Sequence, residues 1–187
     1  LGVNIEEITK AKPFPFDGKL LLYVGRLEKY KNIHLAINAM PYLPAEYKLV
    51  VIGNGPYKGK LLQLISKLKL TDRVQILSGL PNEEVYRWYK TCNLVLNLSS
   101  SEAFGLTVLE GLAAGKPVVV NKKTALAEVA TKFDQVYPVN ATTLSPSHLA
   151  EAIIQGCGII PLMLDLKEYS WESITKKVLL IYQELMT

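Results

Sequence analysis

This sequence has few cysteines, no long apolar run and no large excess of either charge, and each of these features argues against a class of protein. The chain has 187 residues and only two cysteines, Cys92 and Cys157, which fit neither a disulfide framework nor metal-ligand spacing. We therefore expect a reducing compartment and interpret both thiols as buried, small apolar side chains. No stretch reaches the roughly 18 to 20 apolar residues of a membrane span, and no basic-then-apolar leader is visible. A cytoplasmic location is the expectation.

The charge balance is only slightly basic. Lys and Arg total 21 against 17 Asp and Glu, a formal net charge of +4. This excess mildly favours an anionic ligand but is far below that of a typical nucleic-acid-binding domain, so we expect no nucleic-acid partner. Solvated surface lysines would give the same excess. Because 49% of the residues are hydrophobic, a chain of this length can fill the core of one domain.

Short apolar runs alternate with helix-like segments along the chain. The runs with strand character are residues 19–24, 47–52, 74–77, 94–98, 117–120 and, more weakly, 135–139. The segments with helical periodicity are residues 33–43, 57–68, 82–91, 106–114, 125–131, 146–155 and 171–185. This alternation predicts an α/β fold: a Rossmann-like, doubly wound parallel sheet of about six strands with helices on both faces. Such sheets bind ligands at the carboxyl ends of their strands.

A basic pair follows the first predicted strand. The strand ends in Tyr-Val-Gly-Arg-Leu at residues 23–27, and Lys31 comes just before a helical segment. Gly25 would let a ligand approach the backbone, the Arg26 guanidinium can fork onto phosphate oxygens, and Lys31 adds a point charge. A diphosphate would suit this arrangement, although solvated loop cations would show the same spacing. A second glycine turn at residues 53–56 either admits a ligand or serves only the turn.

Two carboxylates flank a third glycine turn. Glu102 lies in a polar turn, Gly105 stands at the predicted start of a helix, and Glu110 is on its second turn. The backbone N–H groups of Gly105, Leu106 and Thr107 would be free to bind an anion or sugar hydroxyls at the helix N-terminus. Ionised carboxylates only accept hydrogen bonds, so they suit hydroxyl-rich ligands such as a hexose and a ribose.

Each carboxylate also has a simpler interpretation. Glu102 could complement the helix dipole, and Glu110 could be a solvated helix residue. A glycosidase pair is a chemical alternative, but such carboxylates flank the scissile bond from opposite sides of a cleft, about 5 to 9.5 Å apart. One local turn-helix segment does not readily supply both.

These residues resemble the C-terminal domain of family-4 retaining glycosyltransferases, one half of the two-Rossmann-domain (GT-B) fold. The hallmark of that family, two glutamates separated by seven residues, is matched by Glu102 and Glu110 with Phe-Gly-Leu at residues 104–106. Similar segments in family order are residues 23–27, 52–56, 74–81, 113–119 and 169–172. Two segments depart from the family pattern: residues 121–128 lack its usual glycines, and residues 97–99, Asn-Leu-Ser, lack its usual proline.

The resemblance implies the donor-binding domain of a hexosyltransferase that transfers sugar with retention from a UDP-, GDP- or ADP-sugar. It implies no further cofactor, and no Asp-x-Asp metal site is visible, so no metal ligand is predicted. The predicted catalytic residues are Glu102, which would contact the donor sugar, and Arg26 and Lys31, which would hold the diphosphate. Glu110 would take the ribose hydroxyls. The predicted binding residues are Gly25, Arg26, Lys31, Gly53, Leu80, Phe104, Gly105, Leu106, Thr107 and Glu110.

The resemblance also implies a domain organisation. Residues 1–18 would form an interdomain linker and domain start, residues 19–168 the donor-binding domain, and residues 169–187 a closing helix. The N-terminal acceptor-binding domain would be missing, so the isolated chain would not transfer sugar. Peripheral attachment of the complete enzyme to the cytoplasmic membrane face is left open.

The alternatives to a glycosyltransferase domain are a non-catalytic nucleotide-sugar-binding module and a related enzyme such as an epimerase or phosphorylase. A receiver-like or flavodoxin-like regulatory domain is the weakest alternative, because this sequence lacks the acidic cluster of the first and the flavin loop of the second.

Overall fold

Strands and helices alternate along the chain. A computed structural model describes residues 2–102, 104–126, 128, 131–160, 162 and 164–185. Its strands are β1 (Lys19–Val24), β2 (Tyr47–Ile52), β3 (Val74–Leu77), β4 (Leu94–Asn97), β5 (Val118–Asn121) and β6 (Val136–Val139). Its α-helices are α1 (Ile5–Lys10), α2 (Ile33–Ala39), α3 (Lys58–Lys67), α4 (Asn82–Thr91), α5 (Leu106–Ala113), α6 (Pro146–Cys157) and α7 (Trp171–Leu185). Short 3₁₀ turns lie at Lys29–Lys31, Met40–Tyr42 and Lys167–Tyr169.

Among the described residues, six strands form one parallel sheet in the order β3-β2-β1-β4-β5-β6. The chain moves outward from β1 to β3 and then returns, so that β4 pairs with the other side of β1, with Leu21 opposite Leu94. The direction of the strand order therefore reverses between β1 and β4. In open α/β sheets, ligands bind beyond the carboxyl ends of the strands at such a reversal. The predicted Rossmann-like, doubly wound sheet is confirmed.

The strand side chains alternate between two apolar layers. Leu21 and Leu49 pack with α2, α3 and α6, whereas Leu20, Leu22 and Val50 pack with α1, α4 and α5. Because helices cover both faces, the strands are almost continuously apolar in sequence. The same coverage places loops and helix starts at the carboxyl edge of the sheet, where side chains can meet a ligand.

Several predicted boundaries shift. The predicted helix 33–43 ends at Ala39 and continues as a 3₁₀ turn, since Pro41 has no N–H to extend the α-helical ladder. The structure adds α1, which was not predicted. Ala127, Val129 and Ala130 of the predicted helix 125–131 lie outside the described residues. The predicted domain boundaries stay predictions, although residues 11–17 form no regular structure ahead of β1.

The two cysteines differ in burial. Cys92 is buried as predicted, and burial raises the pKa of its thiol to about 12. The prediction was wrong for Cys157, which is only partly buried at the end of α6, although burial still raises its pKa to about 11. Neither thiol is therefore ionised near neutral pH.

The helix α7 stands apart from both core layers. It contains no buried residue, and the side chains of Leu179, Leu180, Ile181 and Tyr182 are all more than half exposed. Across the described part of the chain, no helix is both long enough and apolar enough to cross a membrane.

Candidate functional site

A cavity of about 220 Å³ opens at the carboxyl ends of β1 and β4. It lies where the strand order reverses, which is the expected place for a ligand in this kind of sheet. The predicted site residues that line it are Gly25, Lys31, Glu102, Phe104, Gly105, Leu106 and Thr107. Its other lining residues are Tyr23, Val24 and Asn97.

Lys31 and Glu102 form an ion pair inside this cavity. The Lys31 ammonium donates to Oε2 of Glu102 at 2.7 Å, and each side chain is 18% exposed. Partial removal from water strengthens such a pair relative to an exposed one. The sequence assigned Lys31 and Glu102 to two different parts of a ligand, and the structure places their side chains in direct contact.

Hydrogen bonds fasten the turn that carries Lys31 to the segment after β4. The backbone N–H and the hydroxyl of Ser100 both donate to the Tyr30 carbonyl, at 2.8 and 3.1 Å. The Asn32 amide donates to the Leu98 carbonyl at 3.0 Å. Asn32 has a φ of 57°, a left-handed conformation that asparagine adopts more readily than most residues. The lysine backbone is thus fixed against the segment that also carries its carboxylate partner.

The start of α5 forms another wall of the cavity. Gly105 has a φ of 70°, and a Cβ at this position would collide with Leu126. Glycine is favoured here because other residues rarely adopt this backbone conformation, and an added Cβ would also require the Leu126 side chain to shift. The backbone N–H groups of Gly105, Leu106 and Thr107 have no hydrogen-bond acceptor among the described residues. Unpaired N–H groups at a helix start suit an anionic ligand.

Asn97 is a cavity residue that sequence reasoning missed. It is buried at the end of β4, and its amide donates to the Thr107 hydroxyl oxygen at 3.0 Å. Because Asn97 supplies the donor, the Thr107 hydroxyl keeps its own proton for a ligand. An asparagine at the carboxyl end of an apolar strand was a usable signal, since buried amides are uncommon without a specific partner.

Tyr23 is the second missed cavity residue. Its hydroxyl donates to the Arg26 carbonyl at 2.9 Å and so shapes the loop after β1. Burial, and next the Glu102 carboxylate, raise the pKa of Tyr23, so the phenol stays protonated and can act as a donor.

Arg26, Gly53, Leu80 and Glu110 are predicted site residues that do not line the cavity. The Arg26 side chain is 76% exposed and pairs with Glu28 at 3.0 Å. A Cβ at Gly53 would collide with the backbone carbonyl of Gly25, so this glycine permits a close approach of two protein backbones. Leu80 packs against the core layer beside α4 and α5. Their predicted ligand contacts stay predictions.

Glu110 faces α4. The Tyr89 hydroxyl donates to its Oε2 at 2.7 Å, and Tyr89 is fully buried. Burial raises the pKa of Glu110, while the hydrogen bond from Tyr89 acts in the opposite direction. The net effect is a raised pKa, so the protein holds this carboxylate at a cost to stability.

We expect Glu110→Gln to raise stability at neutral pH. A folded-state pKa above the unfolded value means that stability falls as pH rises between the two values, and glutamine keeps an acceptor for Tyr89 without ionising. The expected gain in Tm is about 2–4 °C at pH 7, the size of a roughly 1 kcal/mol change in a domain of this length. The gain should vanish below the ordinary pKa of 4.5. Thermal scans at pH 4 and pH 7 check this, and equal gains at both pH values would contradict it.

The sequence model of one protein family, described as glycosyl transferases group 1, matches residues 4–157. The chain belongs to this family. The matched region runs from the residue before α1 to the end of α6 and includes Lys31, Glu102, Gly105 and Glu110. The predicted kinship with GT-B glycosyltransferases is thereby confirmed at the level of the family.

Similar proteins cover from 75% to 100% of this chain. An uncharacterised glycosyltransferase of Methanocaldococcus jannaschii is 29% identical over 91% of this chain and 46% of its own length. HepE of Anabaena, solved with UDP-glucose, is 26% identical with a TM-score of 0.66, over 75% of this chain and 39% of HepE. A glycosyltransferase of Rickettsia africae, 21% identical, shares the fold with a TM-score of 0.83 over 100% of this chain and 56% of its own. The chain spans about half the length of the curated relatives it matches.

Proposed function

We propose that the chain is the donor-binding domain of a retaining glycosyltransferase, which moves a sugar from a nucleoside-diphosphate sugar to an acceptor hydroxyl. The observation that carries this function is the meeting of Lys31, Glu102 and the unpaired N–H groups of α5 in one cavity. The cation and the N–H groups suit a diphosphate, and the carboxylate suits sugar hydroxyls. The UDP-glucose bound by the similar HepE supports the same class of ligand.

The leaving diphosphate is the group that this site is arranged to stabilise. Negative charge develops on it as the glycosidic bond breaks, and the cavity is lined by Lys31 and by the N-terminus of α5, which carry a full and a partial positive charge. Preorganised charges of this kind can lower a barrier by several kcal/mol. The Arg26 guanidinium joins them once it turns away from Glu28. We assign to these groups the charge neutralisation that a divalent metal provides in other transferases.

Glu110 fits the ribose because of its place on α5. It lies three residues beyond Thr107, which corresponds to about 4.5 Å along the helix axis. A nucleotide whose phosphates sit at the helix start would bring its ribose next along the same helix. The loop that carries Leu80 would then adjoin the nucleobase.

A second domain of the same protein would complete the enzyme. Support comes from α7, whose apolar side chains lie outside the core of this domain. That domain would bind the acceptor, so the chain alone would bind donor without transferring sugar. A cytoplasmic location, with or without attachment to the membrane surface, stays a prediction.

Calorimetric titration with UDP, GDP, ADP and their glucose, mannose and N-acetylglucosamine conjugates tests the proposed function. We expect one nucleotide to bind selectively and one of its sugar conjugates to bind more tightly. Glu102→Gln should then strengthen binding of the parent nucleotide several-fold, because it frees Lys31 and removes a negative charge beside the diphosphate. The same variant should reduce the preference for the sugar conjugate, since a carboxylate accepts hydroxyl hydrogen bonds better than an amide.

Glu46→Gln is the matched control. Glu46 is exposed and precedes β2 at the amino end of the sheet, so this variant removes the same charge far from the cavity and should bind as the unmodified chain does. Absence of binding across the whole panel would contradict the proposed function. Unchanged selectivity in Glu102→Gln would contradict only the role of Glu102.

A further inference from the structure

Tyr89 is a fully buried polar group to which the proposed reaction gives no role. It lies on α4, a helix that contributes no residue to the lining of the cavity. Its hydroxyl nevertheless reaches α5 and donates to Oε2 of Glu110 at 2.7 Å. The ring belongs to the core layer on this face of the sheet, where a phenylalanine would fill the same space.

The chemistry of this contact has a defined direction. Burial raises the pKa of Tyr89 well above its usual value, so the phenol remains protonated and Glu110 is the acceptor. A buried hydroxyl costs free energy unless it is hydrogen-bonded, and here the Glu110 carboxylate supplies the partner. Since a tyrosine ring has only two side-chain torsions and this one is held in the core, the hydroxyl is a rigid donor.

Only one of the two carboxylate oxygens of Glu110 is used by this contact. Oε2 accepts from Tyr89, whereas no hydrogen bond from the described residues reaches Oε1. A carboxylate held at one oxygen can turn less freely, so the second oxygen keeps a fixed direction and remains able to accept.

We propose that Tyr89 is a positioning residue for nucleotide recognition, which fixes Oε2 of Glu110 so that Oε1 accepts hydrogen bonds from the ribose hydroxyls. The proposal rests on the proposed function, which assigns Glu110 to the ribose. Tyr89 acts through Glu110 and touches no ligand itself. It therefore sets how strongly the site distinguishes a ribonucleotide from a nucleotide that lacks ribose hydroxyls.

The test compares UDP, GDP and ADP with their 2′,3′-dideoxy counterparts, and the measured quantity is the ratio of dideoxy Kd to ribonucleotide Kd. We expect a ratio of about ten or more in the unmodified chain, the scale of a hydrogen bond to a charged group. Tyr89→Phe should lower this ratio about three- to tenfold. It should leave the dideoxy Kd within about twofold, because the ring and its packing are kept.

Tyr86→Phe is the matched control. Tyr86 lies on the same helix, is also buried, and its hydroxyl accepts from the Asn4 amide at 3.0 Å. This variant removes a buried hydroxyl without touching Glu110, so any general effect of loosening α4 appears in both variants, whereas the change in the ribose ratio appears only in Tyr89→Phe. In a Glu110→Ala background, Tyr89→Phe should change the ratio no further.

The outcomes distinguish a failure of the role of Tyr89 from a failure of the proposed function. If Glu110→Ala lowers the ratio and Tyr89→Phe does not, the role of Tyr89 is overturned and the proposed function stands. If Glu110→Ala leaves the ratio unchanged, the ribose assignment is overturned, and the role of Tyr89 with it. If no nucleotide binds at all, the proposed function is overturned. Thermal denaturation of each variant verifies that the folded protein is compared throughout.

Discussion

Lys31→Ala is expected to weaken nucleoside diphosphate binding by about 10- to 100-fold, the scale of a charge-assisted hydrogen bond. Two effects act in the same direction. The variant removes the ammonium that would contact the diphosphate, and it leaves the Glu102 carboxylate, only 18% exposed, without its partner at 2.7 Å. An unpaired carboxylate beside the phosphate site repels the ligand. Titration at two salt concentrations measures the loss, and the remaining affinity should depend less on salt.

Three further variants show which charges cause the loss of nucleoside diphosphate affinity. Lys29→Ala removes an exposed cation from the same 3₁₀ turn and should change the affinity less than twofold. Lys31→Ala combined with Glu102→Gln should recover part of the affinity, because the repelling charge is gone. Arg26→Ala should cost only a fewfold, since the side chain is 76% exposed and paired with Glu28. A Lys31→Ala protein that binds within twofold of the unmodified chain would refute the diphosphate assignment.

Gly53→Ala is expected to destabilise the fold by about 3 kcal/mol and to lower Tm by roughly 6–12 °C. The added methyl group would overlap the Gly25 carbonyl, and Leu27 lies against the same point. The Gly25 carbonyl cannot turn aside because it is backbone, and the bond from the Gly53 N–H to the Leu77 carbonyl restricts movement of Gly53 itself. Displacement of Gly25, a residue of the cavity wall, should also reduce nucleotide binding.

Gly59→Ala provides the matched comparison. A Cβ at Gly59 meets nothing within 4 Å, and this residue lies inside α3. Because Gly59 is in the first turn of α3, alanine there should stabilise the protein by about 0.4–1 kcal/mol, chiefly by restricting the unfolded chain. Urea denaturation of the two variants measures both changes. A Gly53→Ala protein as stable as Gly59→Ala would show that the backbone contact can relax without cost.

Local pattern was enough to predict the sheet. The limits of β1, β2 and β3 agree with the predicted strands because each is a continuous apolar run bounded by turn residues. The helix 33–43 was predicted too long because apolar periodicity continues across Pro41. The short α1 escaped prediction because six residues give too few turns to show a period.

The candidate site was predictable in its residues but not in its contacts. Lys31, Glu102 and Gly105 each belong to a local motif, and the structure brings them to one cavity. Their mutual geometry depends on elements distant in sequence: Lys31 and Glu102 are 71 residues apart. Tyr89 carries no motif of its own, because its role arises only when α4 packs beside α5.

The pairing of β1 with β4 also bears on how the protein reaches its folded state. β1 meets β2 after a short crossover, but its other neighbour comes much later in the chain, with Leu22 opposite Val95. Closing so long a loop costs entropy that is recovered only when β4 docks, so we expect this pairing to form late in folding. Because both strands contribute to the cavity wall, the proposed nucleotide site is complete only once β4 has paired with β1. On the proposed function, we therefore expect nucleotide to slow unfolding rather than to speed folding.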